Sequence, residues 1–131
     1  MAETVVVAAA VIERDGRFLV ARRQAGVHLE GYWEFPGGKC APGETIEACL
    51  VRELHEELDV EAHPAAEILT TTHGYEDRRV ELHFLECEMR GTPAPQMGQE
   101  IRWVTRDELA ALTFPPADVE LIRLLSRSNP P

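Results

Sequence analysis

The stretch from Gly38 to Val60 constrains this chain most. Ile46, Leu50, Leu54 and Leu58 recur at helical spacing between about Thr45 and Leu58, and Thr45 is suited to cap the start. Glu53, Glu56 and Glu57 stand at i, i+3 and i+4, so they share one helical face beside the apolar stripe. Like charges at this spacing cost an isolated helix roughly 0.2–0.5 kcal/mol per pair. A divalent cation would remove that penalty. Magnesium takes carboxylate oxygens, keeps several waters and completes its shell with substrate phosphates, so the cluster points to phosphate chemistry. The ordinary alternative is a solvated helix face, which three glutamates alone do not exclude.

Composition sets limits on the rest. The chain has 131 residues, enough for one domain spanning 1–131, with 44% hydrophobic and 27% charged residues, as in globular proteins. A net charge of −10 argues against a nucleic-acid polymer as partner, because that affinity rests on Lys and Arg neutralising phosphates. A small anionic substrate remains compatible if metal ions and a local basic patch receive it. Cys40, Cys49 and Cys87 are odd in number and contain no Cys-x-x-Cys pair, so neither a disulfide framework nor a zinc site is expected, and a cytoplasmic location fits. The apolar run Val5 to Ile12 is too short to cross a bilayer and lacks a basic leader, which argues against a membrane partner. It reads as a buried strand.

No repeat or long linker interrupts the chain. Thr4 to Ile12 and Arg17 to Arg22 are β-branched and apolar runs separated by Asp15-Gly16, a hairpin signal. Residues 24–32 read as a loop leading into Trp33-Glu34-Phe35 and a Pro36-Gly37-Gly38 turn. After the helix, Ala66 to Thr72 and Arg79 to Met89 read as strands, 91–99 as a Pro- and Gly-rich loop, and Ile101 to Val104 as a short strand. Thr105 and Glu108 have capping-box spacing, and a last helix is expected after Pro115-Pro116. Strands with two or three helices make an α/β layered domain.

Gly38, Glu44, Arg52, Glu53, Glu56 and Glu57 fall at the spacing of the Nudix box, which here spans 38–60, and the chain resembles a Nudix hydrolase. One defined position departs: Asp59 stands where the box has glycine. That position suits a left-handed helix cap, which Asp tolerates better than most residues, so a less stable helix end with intact chemistry is expected. The segments Ala21-Arg22-Arg23, Trp33 to Lys39 and Phe114 to Asp118 resemble MutT-like nucleoside triphosphate pyrophosphohydrolases of the 8-oxo-dGTP diphosphatase and CTP pyrophosphohydrolase type. The resemblance implies the Nudix fold, a mixed β-sheet sandwiched between helices. It also implies hydrolysis of a (deoxy)nucleoside triphosphate to the monophosphate and pyrophosphate, in the service of nucleotide-pool sanitation.

The same resemblance implies residue roles. Glu53, Glu56 and Glu57, with the Gly37 carbonyl, hold Mg2+, for which Mn2+ can substitute. Arg52 lies one residue before Glu53 and four before Glu56, so it can orient a glutamate through a charged hydrogen bond; its bland alternative is a surface ion pair worth about 0–1 kcal/mol. Glu53 is the first candidate for general base. Glu100 occupies the loop position where similar enzymes place another metal-binding or proton-accepting carboxylate. Arg23, Lys39 and Arg78 are candidates for holding phosphates, His28 for phosphate or sugar, and Phe35 for stacking on a base.

Asp118 is the candidate for reading the base edge, because related enzymes use the position after the Phe-Pro-Pro-Ala run. An ionised Asp only accepts, which suits the amino group of cytosine; a protonated one could donate to a purine O6. A plain helix cap is the competing reading. ADP-ribose-type substrates, a non-hydrolytic nucleotide-binding module, and monomer against homodimer all stay open at this level.

Overall fold

The computed structural model describes residues 3–27 and 29–127. Among the described residues eight strands, three helices and one 3-10 turn follow in the order β1 (Glu3–Val11), β2 (Glu13–Arg14), β3 (Arg17–Arg22), β4 (Trp33–Glu34), β5 (Gly37–Lys39), α1 (Ile46–Leu58), β6 (Glu61–Gly74), β7 (Arg78–Arg90), β8 (Ile101–Val104), α2 (Arg106–Ala111), the turn Pro116–Asp118, and α3 (Val119–Arg127).

The larger sheet has the order β5-β1-β7-β6 and is mixed. β1 runs parallel to β7, with Val5 opposite Val80 and Ala9 opposite Phe84, and antiparallel to β5. A central strand buried on both faces needs apolar residues at successive positions, and Ala8, Ala9, Ala10 and Val11 are each at most 5% exposed. β6 and β7 form a long antiparallel hairpin whose register shifts between Pro64 and Leu69. Pro64 is tolerated there because β6 is an edge strand and the bulge disrupts the ladder.

The Asp15-Gly16 turn forms as expected, with φ of 52° and 76°, the left-handed pair that a two-residue hairpin requires. Its ladder, however, joins β2 to β3, not β1 to β3. After Val11 the chain leaves the larger sheet and enters a smaller one, in which β3 pairs with β2, β4 and β8. Two further expectations need correction. The Pro36-Gly37-Gly38 segment is not only a turn, because Gly37–Lys39 is a strand against Val7–Ala9. Cys40 and Cys49 are joined as a disulfide across the loop between β5 and α1, with Cα atoms 5.1 Å apart, while Cys87 is free and buried. Residue spacing does not reveal that pair, because the fold turns the chain back on itself between them.

Helix α1 starts at the expected cap, where the Thr45 hydroxyl accepts from the Ala48 N–H at 3.1 Å. It ends at Asp59, which is left-handed at φ 55° and ψ 46°. Its buried residues Cys49, Leu50, Leu54 and Leu58 pack on one face of the larger sheet against Ala8, Ala10 and Leu85. On the other face Ala9, Val11 and Phe84 meet Phe18, Val20, Leu121 and Leu125, so α3 and the smaller sheet close that side. The mixed sheet therefore lies between helices. The capping box of α2 is complete, with Thr105 and Glu108 bonded reciprocally. No helix among the described residues is long and apolar enough to cross a membrane.

Candidate active site

Strand β5 and helix α1 bring the first group of residues together. The Gly37 backbone presses on Ala8 of the neighbouring strand, and a Cβ added there would overlap the Ala8 carbonyl. At Gly38 an added Cβ would overlap the Glu53 carboxylate instead. Glycine is thus required at Gly37, where the clash is with backbone, while at Gly38 the contact places the Glu53 carboxylate directly over the strand.

Arg52 organises the acidic face. Its guanidinium donates through Nε and Nη2 to both oxygens of Glu44 at 2.8 and 2.9 Å, a bidentate fork. Nη1 reaches Glu53 at 2.9 Å and Glu56 at 3.3 Å, and Nη2 also donates to the Lys39 carbonyl at 3.0 Å. The Arg52 fork, followed by a bond from the Ala41 N–H, lowers Glu44 to about 2. Arg52 thus bonds Glu53 and Glu56, the two glutamates its position let it reach, and Glu44 as well.

Glu57 differs from its neighbours. It is not among the Arg52 partners, and its pKa is pushed up to about 8, first by burial and then by the charges of Glu53 and Glu34 and a hydrogen bond to Glu53. Two carboxyl groups in contact, one of them driven to hold a proton, are a donor set that a divalent cation would relieve. Among the described residues no three His, Cys, Asp or Glu side chains are arranged so as to hold a metal ion. The Glu53 and Glu57 carboxyl groups in contact make a two-carboxylate set, which suits magnesium, an ion that keeps waters and takes phosphate oxygens.

Glu57 also lines a cavity of about 310 Å3, together with Gly37, Lys39, Arg23 and Arg78. The cavity continues over Leu82 and Phe84 to Glu34 and Asp118. Arg78 lies against the Tyr75 ring at 5.9 Å, and its Nε is buried without a hydrogen-bond partner. An unsatisfied buried donor beside a cavity is suited to an acceptor on a ligand. Phe35, only 4% exposed, stacks on Phe114 with ring centroids 5.4 Å apart, so it forms cavity wall and core at once.

The cavity is also lined by two acids, Asp118 and Glu34, of which only Asp118 was expected. Asp118 is 5% exposed, and its pKa is raised to about 7 by burial first, then by Glu34, against the lowering effect of Arg23. Glu34 accepts from Arg23 Nη1 at 2.7 Å, and burial raises its pKa too. Glu34 was not expected. The available signal was a lone carboxylate between Trp33 and Phe35 in an apolar strand, a position where a charge is costly without a partner.

Glu100 is paired with two arginines. Its carboxylate is 3.0 Å from Arg102 and 3.6 Å from Arg22, it is not among the cavity-lining residues, and both arginines lie near the Trp33 ring. His28 lies outside the described residues.

The sequence matches the NUDIX domain family over residues 7–124. The chain belongs to the Nudix family. It is 37% identical over 117 residues to the CTP pyrophosphohydrolase of Escherichia coli K12, covering 88% of this Nudix chain and 87% of that protein. The 8-oxo-dGTP diphosphatase of the same organism is 34% identical, with coverage of 86% and 88%. Among solved structures, that of the E. coli ORF135 protein superposes with a TM-score of 0.85 at 34% identity, covering 98% of this chain and 95% of that one. The Nudix fold inferred from the box is thus the fold of the chain.

Proposed function

We propose that this Nudix hydrolase cleaves a (deoxy)nucleoside triphosphate to the nucleoside monophosphate and pyrophosphate, with CTP, dCTP or 8-oxo-dGTP as the substrate type and nucleotide-pool sanitation as its use. The observation that carries this reading is a single cavity lined by Glu57 of the glutamate helix, by the half-buried Glu34 and by the buried Asp118. The relatives named above act on such nucleotides.

Glu53, Glu56 and Glu57, with the Gly37 carbonyl, would hold Mg2+ or Mn2+. When bound, such an ion neutralises phosphate charge and lowers the pKa of a water bound to it. Arg52 keeps Glu53 and Glu56 in place through its fork on Glu44. Arg23, Lys39 and Arg78 hold phosphates, and the unpartnered Arg78 Nε is the clearest donor among them. We assign the proton-accepting role to Glu53, which lies over Gly38 and contacts Glu57; Glu100 would have to leave its two arginines first. Phosphoryl transfer depends chiefly on positioning and charge neutralisation, and these residues supply both.

At the base end, Asp118 sits near its own titration point at neutral pH, so it can accept from an amino group when ionised and donate to a carbonyl when protonated. A hydrolysis screen over CTP, dCTP, 8-oxo-dGTP, the unmodified triphosphates and ADP-ribose tests the reading, with and without chelator. Pyrophosphate release from a nucleoside triphosphate, lost on chelation, is expected. Preferential turnover of ADP-ribose, or undiminished turnover without metal, would overturn it. Comparing Glu53→Gln and Glu100→Gln across pH identifies the base by which variant removes the acidic limb of the rate profile.

A further inference from the structure

We propose that Gln99 is a positioning residue for the glutamate helix, holding the backbone of Glu57 and linking it through Met97 and Gln24 to the loop that follows Arg23. The inference rests on the assignment of Glu57 to the metal site. The last carbonyls of an α-helix have no partner within it and must find one outside. At α1 the Asp59 N–H takes the His55 carbonyl at 3.1 Å, and the loop between β7 and β8 supplies the remainder observed. Ala94 N–H donates to Leu58 O at 2.8 Å and Gln96 N–H to Glu57 O at 2.9 Å. The Gln99 side chain adds a second donor to Glu57 O at 3.3 Å.

Gln99 is 9% exposed, and both ends of its amide are used, because Oε1 accepts from the Met97 N–H at 3.0 Å. This fixes its orientation: an N–H must meet the oxygen end and a carbonyl must meet the NH2 end. Gly98, at φ 74°, provides the reversal between Met97 and Gln99. The Met97 carbonyl in turn accepts from Gln24 Nε2 at 2.7 Å. An unbroken hydrogen-bonded path therefore runs from the residue after Arg23 to the carbonyl of Glu57, whose side chain lines the cavity. Neither Met97 nor Gln99 carries a charge, and the Gln99 bond is to the Glu57 backbone carbonyl, so their part in the site is to hold the helix end in register.

Partners that orient metal ligands from behind typically change metal affinity by about 10–100-fold when removed. The test is Mn2+ binding to the metal-free protein without nucleotide, followed by electron paramagnetic resonance. Gln99→Leu removes both bonds. Gln99→Glu keeps the acceptor for Met97 but sets an oxygen against Glu57 O. Both are expected to weaken Mn2+ about tenfold while the circular dichroism spectrum stays that of wild type. Gln24→Ala should leave Mn2+ binding unchanged and raise KM for the nucleotide. Should Gln99→Leu fail to fold, Gln99→Glu decides alone. Mn2+ affinity within twofold of wild type in the folded Gln99 variants, with binding lost in Glu57→Gln, would overturn the positioning role. Wild-type binding in Glu57→Gln would overturn the metal assignment beneath it.

Discussion

The glutamate end and the base end of the cavity handle charge in different ways. At the first, Glu44, Arg52, Glu53, Glu56 and Glu57 come from one loop and one helix, and the single charge of Arg52 bonds directly to three of the carboxylates. At the second, Arg23, Glu34 and Asp118 come from the end of β3, from β4 and from the turn before α3, and burial raises both acids. A local cluster can be held by geometry that the helix already supplies. A dispersed cluster exists only once the fold is complete, and its chemistry is set by desolvation. The two ends meet at Glu34, whose charge raises Glu57 as well as Asp118.

Glutamine variants of the helix face should have the largest effect. Glu53→Gln, Glu56→Gln and Glu57→Gln each remove a charge from a set that works together, so turnover should fall by orders of magnitude with every nucleotide alike. Steady-state rates with CTP and 8-oxo-dGTP, alongside thermal melts, check this. Near-normal rates in all three would return the cluster to a solvated helix face and erase the contrast between the ends.

Asp118→Asn should act on choice rather than on rate. A directional bond to a base edge discriminates by about 1–3 kcal/mol, so the ratio of kcat/KM between cytosine and 8-oxoguanine substrates should move roughly tenfold toward the purine. In the wild type the same ratio should move toward the purine as pH falls below about 7, where Asp118 gains its proton. The stability consequence has a definite sign. A carboxyl raised from 3.8 to about 7 in the folded state favours folding at low pH, and that contribution is lost as pH rises from about 4 through about 7. The melting temperature of Asp118→Asn relative to wild type should therefore be higher at pH 8 than at pH 5, by an amount corresponding to a few kcal/mol at most. Unchanged substrate ratios would leave Asp118 as a structural acid, with base choice made elsewhere.

Asp59→Gly should have the smallest effect and sharpen the contrast from the other side. Asp59 is left-handed at φ 55°, where a side chain costs up to about 1–2 kcal/mol, so glycine should stabilise the helix end by roughly 1 kcal/mol or less. Denaturant midpoints would show the gain, and kcat should stay within about twofold because the Arg52 network lies a turn or more away along the helix. A large change in kcat would mean that the Asp59 side chain acts on the glutamate face beyond capping the helix.

The sequence by itself determined helix α1, its Thr45 and Asp59 caps, the shared face of Glu53, Glu56 and Glu57, and the reach of Arg52. All of these follow from a fixed 3.6-residue period and contacts within a few residues. It also marked the Asp15-Gly16 turn and the α2 capping box, for the same local reason. Only the tertiary structure decided that Gly37–Lys39 joins a sheet, that Cys40 meets Cys49, that Glu100 faces two arginines, and that Glu34 shares a cavity with Asp118. Strand partners and buried charge pairs depend on which distant segments the topology places side by side. Periodicity records which way a side chain points but not what it will find there.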